Sequence, residues 1–139
     1  MDGTLGRLVL IALGGGLGAM GRYGLDLAVQ WLWPALTGRF PLGILLVNVL
    51  GCFLFGSIVG AAGGAEALSP ERRLFLLTGL LGGFTTFSTF GYDTARLLTS
   101  GAGILAVVNA LVSVGAGITA VILAACRAFS KEQDWNRRD

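Results

Sequence analysis

Residues 42–62 read LGILLVNVLGCFLFGSIVGAA, an apolar run that contains no charged side chain. A helix needs about 20 such residues to cross a hydrocarbon layer about 30 Å thick. The only amide in the run is Asn48, which has aliphatic residues on both sides. The run therefore predicts a membrane-spanning helix and indicates the fold class of the whole chain.

The composition also indicates a membrane protein. Apolar residues make up 54% of the 139 residues, and 13% are charged, against about 25% in soluble domains. The net charge of +2 comes from scattered basic residues, which does not indicate nucleic-acid binding. Histidine is absent, and Cys52 and Cys126 lack metal-site spacing, so neither a zinc site, a disulfide framework nor an enzyme active site is expected.

Charged and turn-forming residues divide the chain into four apolar spans, each close to the length of a transmembrane helix. Ser69 and Pro70 have the pattern of an N-cap followed by a first-turn proline, so they mark the start of the third span. We predict an all-α membrane protein with one domain over residues 1–139. Its four helices lie at about residues 8–32, 42–62, 70–98 and 104–126, followed by a charged, frayed tail at 127–139.

The centre of the third span is unusual for a helix, because residues 82–91 read GGFTTFSTFG. Glycine and threonine are poor helix formers, so we predict a break in this helix. Phe87 and Phe90 stand three residues apart among hydroxyl side chains. An aromatic ring has a positive edge, and a helix break frees backbone amides and carbonyls. The segment therefore permits an ion site without identifying the ion.

Polar residues in the other spans leave two interpretations open. Asn48 must find partners, so it either makes an interspan hydrogen bond or donates to an ion. Asn109, Ser113 and Gly117 form a stripe at a spacing of four in the fourth span. Packing hydrogen bonds and a pore lining explain that stripe equally well.

Arg22 and Asp26 are four residues apart near the end of the first span. This spacing favours an ion pair between them, and an electropositive vestibule is the functional alternative. Most of the 23 glycines lie inside the apolar runs, where they indicate close packing of helices rather than flexible linkers. Pairs at a spacing of four are Gly14 with Gly18 and Gly56 with Gly60.

The centre of the third span resembles the G-G-x-T-T-F-S-T-F signature of the CrcB/Fluc family of fluoride channels. The resemblance extends to residues 15–19 with Arg22 in the first span, and to residues 43–51 with Asn48 in the second. It implies an antiparallel, dual-topology homodimer in the cell (inner) membrane, with two fluoride pores and a structural sodium ion at the centre. The expected function is passive, fluoride-selective export that relieves fluoride toxicity.

The resemblance implies a role for each matching position. Phe87 and Phe90 match the two rings that meet fluoride edge-on, and Asn48 matches the asparagine that donates to it. Ser88 and Thr89 match the hydroxyls between the rings. We therefore expect these residues to line the fluoride pore.

Further matches concern the sodium ion and the vestibule. The backbone carbonyls of Gly82 and Thr85 match the sodium ligands. Arg22 matches an arginine near the vestibule, and Asp93 stands where many relatives carry glutamate.

Two positions depart from the family pattern. Asn109 stands where several relatives have a pore-facing tyrosine, and Gly91 replaces a common serine. We expect Asn109 and Ser113 to contribute to the pore from the fourth span. Neither departure affects the phenylalanines or Asn48.

Two other functions compete with a fluoride channel. A small dual-topology exporter of drugs or metabolites needs an intramembrane carboxylate for proton coupling, and the spans offer only Asp26 and Asp93, each near a helix end. A structural subunit of a membrane complex explains the glycines but leaves the phenylalanine and hydroxyl pattern without a purpose.

The distribution of basic residues bears on orientation. One side of the membrane has Arg39 and Arg96, and the side of the termini has Arg7, Arg72, Arg73, Arg127, Lys131, Arg137 and Arg138. This bias favours one orientation with both termini in the cytoplasm, whereas an antiparallel homodimer needs both. We expect the homodimer, and a paralogue of opposite orientation as the second protomer is the alternative.

Overall fold

The computed structural model describes residues 3–136, with side chains described for residues 3–127. Every regular element within this range is a helix. Four helices are long and apolar enough to cross a membrane, namely Gly3–Leu32, Leu42–Ala61, Pro70–Thr99 and Gly103–Arg127. We refer to them as the first to fourth spans. They confirm the predicted fold class of a four-span, all-α membrane protein.

Short connections join the spans. The helix Pro34–Thr37 follows the first span, and a 3₁₀ turn at Ala65–Ala67 follows the second. Ser69 accepts a hydrogen bond from the backbone N–H of Arg72 at 3.4 Å, which confirms its predicted N-cap role at the start of the third span. Gly101 has a φ of 81° in the last connection, a conformation that favours glycine.

Two helix ends differ from the prediction. The first helix begins at Gly3 rather than near residue 8. The last helix runs Gly103–Asn136, so it continues well past residue 126 into the tail. The tail contains no glycine or proline and is rich in helix formers, which explains the continuation. Arg137 and Arg138 lie outside the described residues.

The third span changes its helical geometry along its length. It begins as an α-helix, becomes π-helical, returns to one α-helical turn, and resumes as an α-helix after the break. These segments are Pro70–Arg72, Arg73–Leu81, Gly82–Phe84 and Phe87–Thr99. Thr85 and Thr86 between them are extended, with φ and ψ of −80° and 155°, and −149° and 117°. The predicted break is therefore present and consists of these two threonines.

Glycines let the first span lie directly on the part of the third span that precedes the break. A Cβ added at Gly14 would lie 2.5 Å from the carbonyl oxygen of Phe75 and 2.9 Å from the backbone nitrogen of Leu80. One added at Gly18 would overlap the carbonyl oxygen of Leu80. These are backbone-to-backbone contacts, as the glycine spacing predicted.

The second and fourth spans pack in the same way. A Cβ at Gly56 would overlap the carbonyl oxygen of Val121 and would lie 3.1 Å from Cβ of Ala124. Gly60 is buried in the same helix. The predicted close packing at Gly56 is therefore confirmed, and glycines pack the four spans into two pairs, the first with the third and the second with the fourth.

We predict that Gly18→Ala destabilises the protein by about 1–3 kcal/mol, because the new methyl group overlaps backbone that cannot move aside. Gly16→Ala is the matched control, since nothing lies within 4 Å of a Cβ at Gly16 in the same helix. Thermal unfolding in detergent measures both variants. Equal stability of the two variants would contradict the backbone contact.

Candidate functional site

The break in the third span is held by Asn48 of the second span. The Nδ2 group of Asn48 donates to the carbonyl oxygen of Thr86 at 3.1 Å, and the N–H of Thr86 donates to Oδ1 of Asn48 at 2.8 Å. One side-chain amide thus satisfies both backbone groups of an extended residue inside the membrane span. This is one of the two roles that the sequence allows for Asn48. Its second N–H hydrogen is left for another partner.

Thr86 also caps the helix that follows the break. Its Oγ1 accepts from the N–H of Thr89 at 3.3 Å and lies 3.2 Å from Oγ of Ser88 and 3.1 Å from Oγ1 of Thr89. In the sequence, Thr86 is one of several hydroxyl residues of the third-span motif. A threonine immediately before a renewed helix is a recognised N-cap signal, and it identifies this residue.

A cavity of about 240 Å³ opens beside the break. We call it the central cavity. Three spans contribute to its lining, which includes Asn48, Thr85, Thr86, Phe87, Phe90 and Ser113. The ring centroids of Phe87 and Phe90 are 5.5 Å apart and the rings are tilted by 48°. The structure thus brings together residues that the sequence selected in three different spans: Asn48, the pair Phe87 and Phe90, and Ser113.

A second cavity of about 520 Å³ lies between the first connection and the later part of the third span. We call it the vestibule. Its polar lining includes Asp26, Gln30, Thr89, Asp93 and Arg96. Arg96 Nη2 lies 3.7 Å from Oδ1 of Asp93. Asp93, which the family resemblance places near a vestibule, is part of this lining, and its role there stays a prediction.

The ion pair expected between Arg22 and Asp26 is not formed. Asp26 Oδ2 accepts from Nε2 of Gln30 at 2.9 Å, and Oδ1 lies against Gly43 at the start of the second span. Asp26 therefore faces the vestibule and bonds to the following helical turn, whereas Arg22 lies on the preceding one. Arg22 itself is half-buried and is not among the residues that line the vestibule.

Hydroxyl groups connect the two cavities. Thr89 lines the vestibule, Thr86 lines the central cavity, and their hydroxyl oxygens are 3.1 Å apart. Ser88 is exposed and reaches the same hydroxyl of Thr86. Polar groups therefore extend from Asp93 in the vestibule, through Thr89 and Thr86, to Asn48 in the central cavity.

Asn109 is placed behind the central cavity rather than in its lining. It is 1% exposed, its Nδ2 donates to Oγ1 of Thr94 at 2.8 Å, and its Oδ1 accepts from Oγ of Ser113 at 3.4 Å. Ser113 does line the cavity. The structure thus separates two residues that the sequence grouped in one stripe.

The carbonyls of Gly82 and Thr85 have lost their helical donors. In a continuous helix Gly82 O would accept from Thr86 N and Thr85 O from Thr89 N, but those groups donate to Asn48 Oδ1 and Thr86 Oγ1. Carbonyl oxygens without donors suit a hard cation. Over the described residues, no group of three or more His, Cys, Asp or Glu side chains is placed to hold a metal.

Comparison with known proteins identifies the family of this chain. The family model described as "CrcB-like protein, Camphor Resistance (CrcB)" matches residues 9–125. The chain belongs to the CrcB family. This match spans all four membrane helices and confirms the resemblance that the third-span motif indicated.

Relatives in the CrcB family share substantial identity with the chain. A protein named fluoride-specific ion channel FluC from Nitratidesulfovibrio vulgaris is 46% identical over 95 residues, which are 68% of this chain and 74% of the relative. One from Roseiflexus sp. is 42% identical over 119 residues, or 86% and 94% of the two chains. One from Shewanella pealeana is 39% identical over 127 residues, or 91% and 99%. The Roseiflexus and Shewanella proteins are also named fluoride-specific ion channel FluC.

We predict that Asn48→Ala speeds amide exchange at Thr86 by roughly tenfold or more, because the N–H loses its buried acceptor. Hydrogen–deuterium exchange of the peptide that contains Thr86 measures this. Ser57→Ala is the control, since Ser57 lies on the same helix and bonds only to the carbonyl of Phe53. If both variants leave the exchange at Thr86 unchanged, Asn48 does not hold the break.

Proposed function

We propose that this protein is a fluoride-selective ion channel that lets fluoride leave the cell down its gradient and so relieves fluoride toxicity. The observation that carries the proposal is the central cavity, where Asn48, Phe87, Phe90 and Ser113 meet beside a break in a membrane-spanning helix. Its membership of a family whose relatives are named fluoride-specific ion channels supports the same conclusion. The protein acts in the cell (inner) membrane and is a channel rather than an enzyme.

Conduction requires that a strongly hydrated anion find replacements for its water. Asn48 offers its remaining N–H hydrogen, and Thr86, Ser88 and Thr89 offer hydroxyls. The helix Phe87–Thr99 begins at the break, so the positive end of its dipole and its first free N–H groups lie there. The ring edges of the two phenylalanines add partial positive charge without a cation. Selectivity then follows from donor geometry and pore size.

The competing functions fit the geometry less well. Asp26 and Asp93, the carboxylates that proton coupling would use, line the vestibule and not the central cavity. A purely structural subunit needs no cavity of about 240 Å³ lined by an amide, hydroxyls and ring edges. Fluoride conduction accounts for these features together.

The break also supports a dimer. Phe87 is 81% exposed, and Ser88 and Gly82 are exposed beside it. Irregular backbone and freed polar groups at membrane depth are tolerated where protein or a water-filled cavity covers them, and not against lipid. A second copy placed over this surface would supply that cover. We propose the antiparallel, dual-topology homodimer, with a paralogue of opposite orientation as the alternative partner.

A structural sodium ion at the dimer centre is part of this proposal. The freed carbonyls of Gly82 and Thr85 are the ligands that this chain would contribute, and the ion would balance their partial charges. Exhaustive replacement of sodium by a large organic cation should then lower the stability of the dimer. Unchanged dimer stability and fluoride flux without sodium would exclude a structural sodium ion.

We predict that Phe87→Ile and Phe90→Ile each slow fluoride efflux from liposomes by roughly tenfold or more, an effect of about 1.4 kcal/mol on the barrier. Isoleucine keeps the apolar bulk and removes the ring edge. A fluoride electrode measures the efflux. Phe53→Ile is the control, because Phe53 is 43% exposed on the second span and does not line the central cavity.

Normal efflux in both Phe87→Ile and Phe90→Ile, from protein of unchanged oligomeric state, would contradict their placement in the pore. A loss of efflux in Phe53→Ile as large as in the other two variants would point to general destabilisation instead.

Orientation can be tested with a single cysteine in a chain that lacks Cys52 and Cys126. Ala67→Cys lies in the exposed connection before the third span, and Ser100→Cys lies in the exposed connection on the opposite side. A dual-topology chain expressed alone should react at both positions with an impermeant thiol reagent, each to about half. Labelling of only one position in intact cells, with no fluoride conduction, would exclude the homodimer and favour a paralogue as partner.

A further inference from the structure

A chain of hydrogen bonds runs from the wall of the central cavity to the backbone of the third span. Ser113 lines the cavity and its Oγ donates to Oδ1 of Asn109 at 3.4 Å. Nδ2 of Asn109 donates to Oγ1 of Thr94 at 2.8 Å. Oγ1 of Thr94 donates to the carbonyl oxygen of Phe90 at 2.8 Å. Asn109, at the centre of this chain, is 1% exposed.

The direction of each bond follows from the number of hydrogens available. The hydroxyl of Thr94 has one hydrogen, and the carbonyl of Phe90 can only accept, so that hydrogen is used there. Thr94 must then accept from Asn109, which places Nδ2 toward Thr94 and Oδ1 toward Ser113. An amide oxygen can only accept, so Ser113 donates its single hydrogen to Asn109.

This polarity has a consequence for an anion in the central cavity. Ser113 turns its oxygen lone pairs, and not its hydrogen, toward the space beside Phe87 and Phe90 while Asn109 holds that hydrogen. An anion gains a donor from Ser113 only by taking the hydrogen away from Oδ1 of Asn109. At 3.4 Å that bond is long and therefore weak enough for a strong acceptor to replace it. Fluoride is a much stronger hydrogen-bond acceptor than chloride.

We propose that Asn109 is a positioning residue for anion selectivity, which competes with the permeating anion for the hydroxyl hydrogen of Ser113. Fluoride accepts the hydrogen bond from Ser113 in place of Asn109, so the hydroxyl turns into the cavity. Chloride does not displace Asn109. Thr94 makes this competition possible, because its bond to Nδ2 of Asn109 orients Oδ1 toward Ser113. The inference rests on the proposed function and assigns Asn109 a role outside the pore lining.

The test measures the ratio of fluoride to chloride flux in liposomes. Asn109→Leu removes the competing acceptor, and we expect the ratio to fall by roughly threefold or more, the size of effect of one hydrogen bond. Thr94→Val removes the group that orients the amide and should lower the ratio in the same direction. Thr99→Val is the matched control, because Thr99 bonds to the carbonyl of Ala95 on the same helix at 3.1 Å and is exposed.

A double variant separates this role from simple packing. In a Ser113→Ala background there is no hydroxyl hydrogen to compete for, so adding Asn109→Leu should leave the flux ratio unchanged. A ratio equal to the wild-type value in both Asn109→Leu and Thr94→Val would overturn the inference. An effect of Asn109→Leu that persists undiminished without the Ser113 hydroxyl would overturn it as well. Wild-type protein that conducts no fluoride would instead overturn the proposed function, and the inference with it.

Discussion

The paired hydrogen bonds between Asn48 and the backbone of Thr86 are the interaction on which the site depends. An extended residue inside a membrane helix loses its helical partners, and each unsatisfied backbone group costs several kcal/mol in hydrocarbon. One amide from a neighbouring span satisfies both groups. Because the break is stabilised in this way, Thr86 can cap the next helix, the carbonyls of Gly82 and Thr85 become available, and the central cavity opens beside the rings.

The two halves of the third span are held by different forces. Before the break, backbone lies on backbone through Gly14 and Gly18 of the first span, so this half has little freedom to move. After the break, the helix packs on the fourth span, and a side-chain hydrogen bond between Asn109 and Thr94 links the two. A side-chain hydrogen bond can exchange partners, whereas a steric contact between backbones cannot.

The separation of vestibule and central cavity also has a physical basis. The charged groups Asp26, Asp93 and Arg96 lie in the vestibule, close to the ends of the spans. The central cavity has an amide, hydroxyls and rings but no charged side chain in its lining. For the anion passage that we propose, a neutral set of donors permits both entry and exit, whereas a full positive charge would bind an anion too strongly to release it.

The sequence by itself determined the four spans, the break in the third and the family, because hydropathy, helix propensity and the third-span motif are properties of short stretches of chain. It also indicated Asn48, Phe87 and Phe90 as candidate site residues, because they stand out by residue type and spacing alone. The tertiary structure alone decided that Asn48 bonds to Thr86, that Asn109 bonds to Thr94 and that Asp26 lies against Gly43 of the second span. The partner of such a polar atom depends on which helix surfaces are in contact. Glycine contacts between distant parts of the chain determine which surfaces these are.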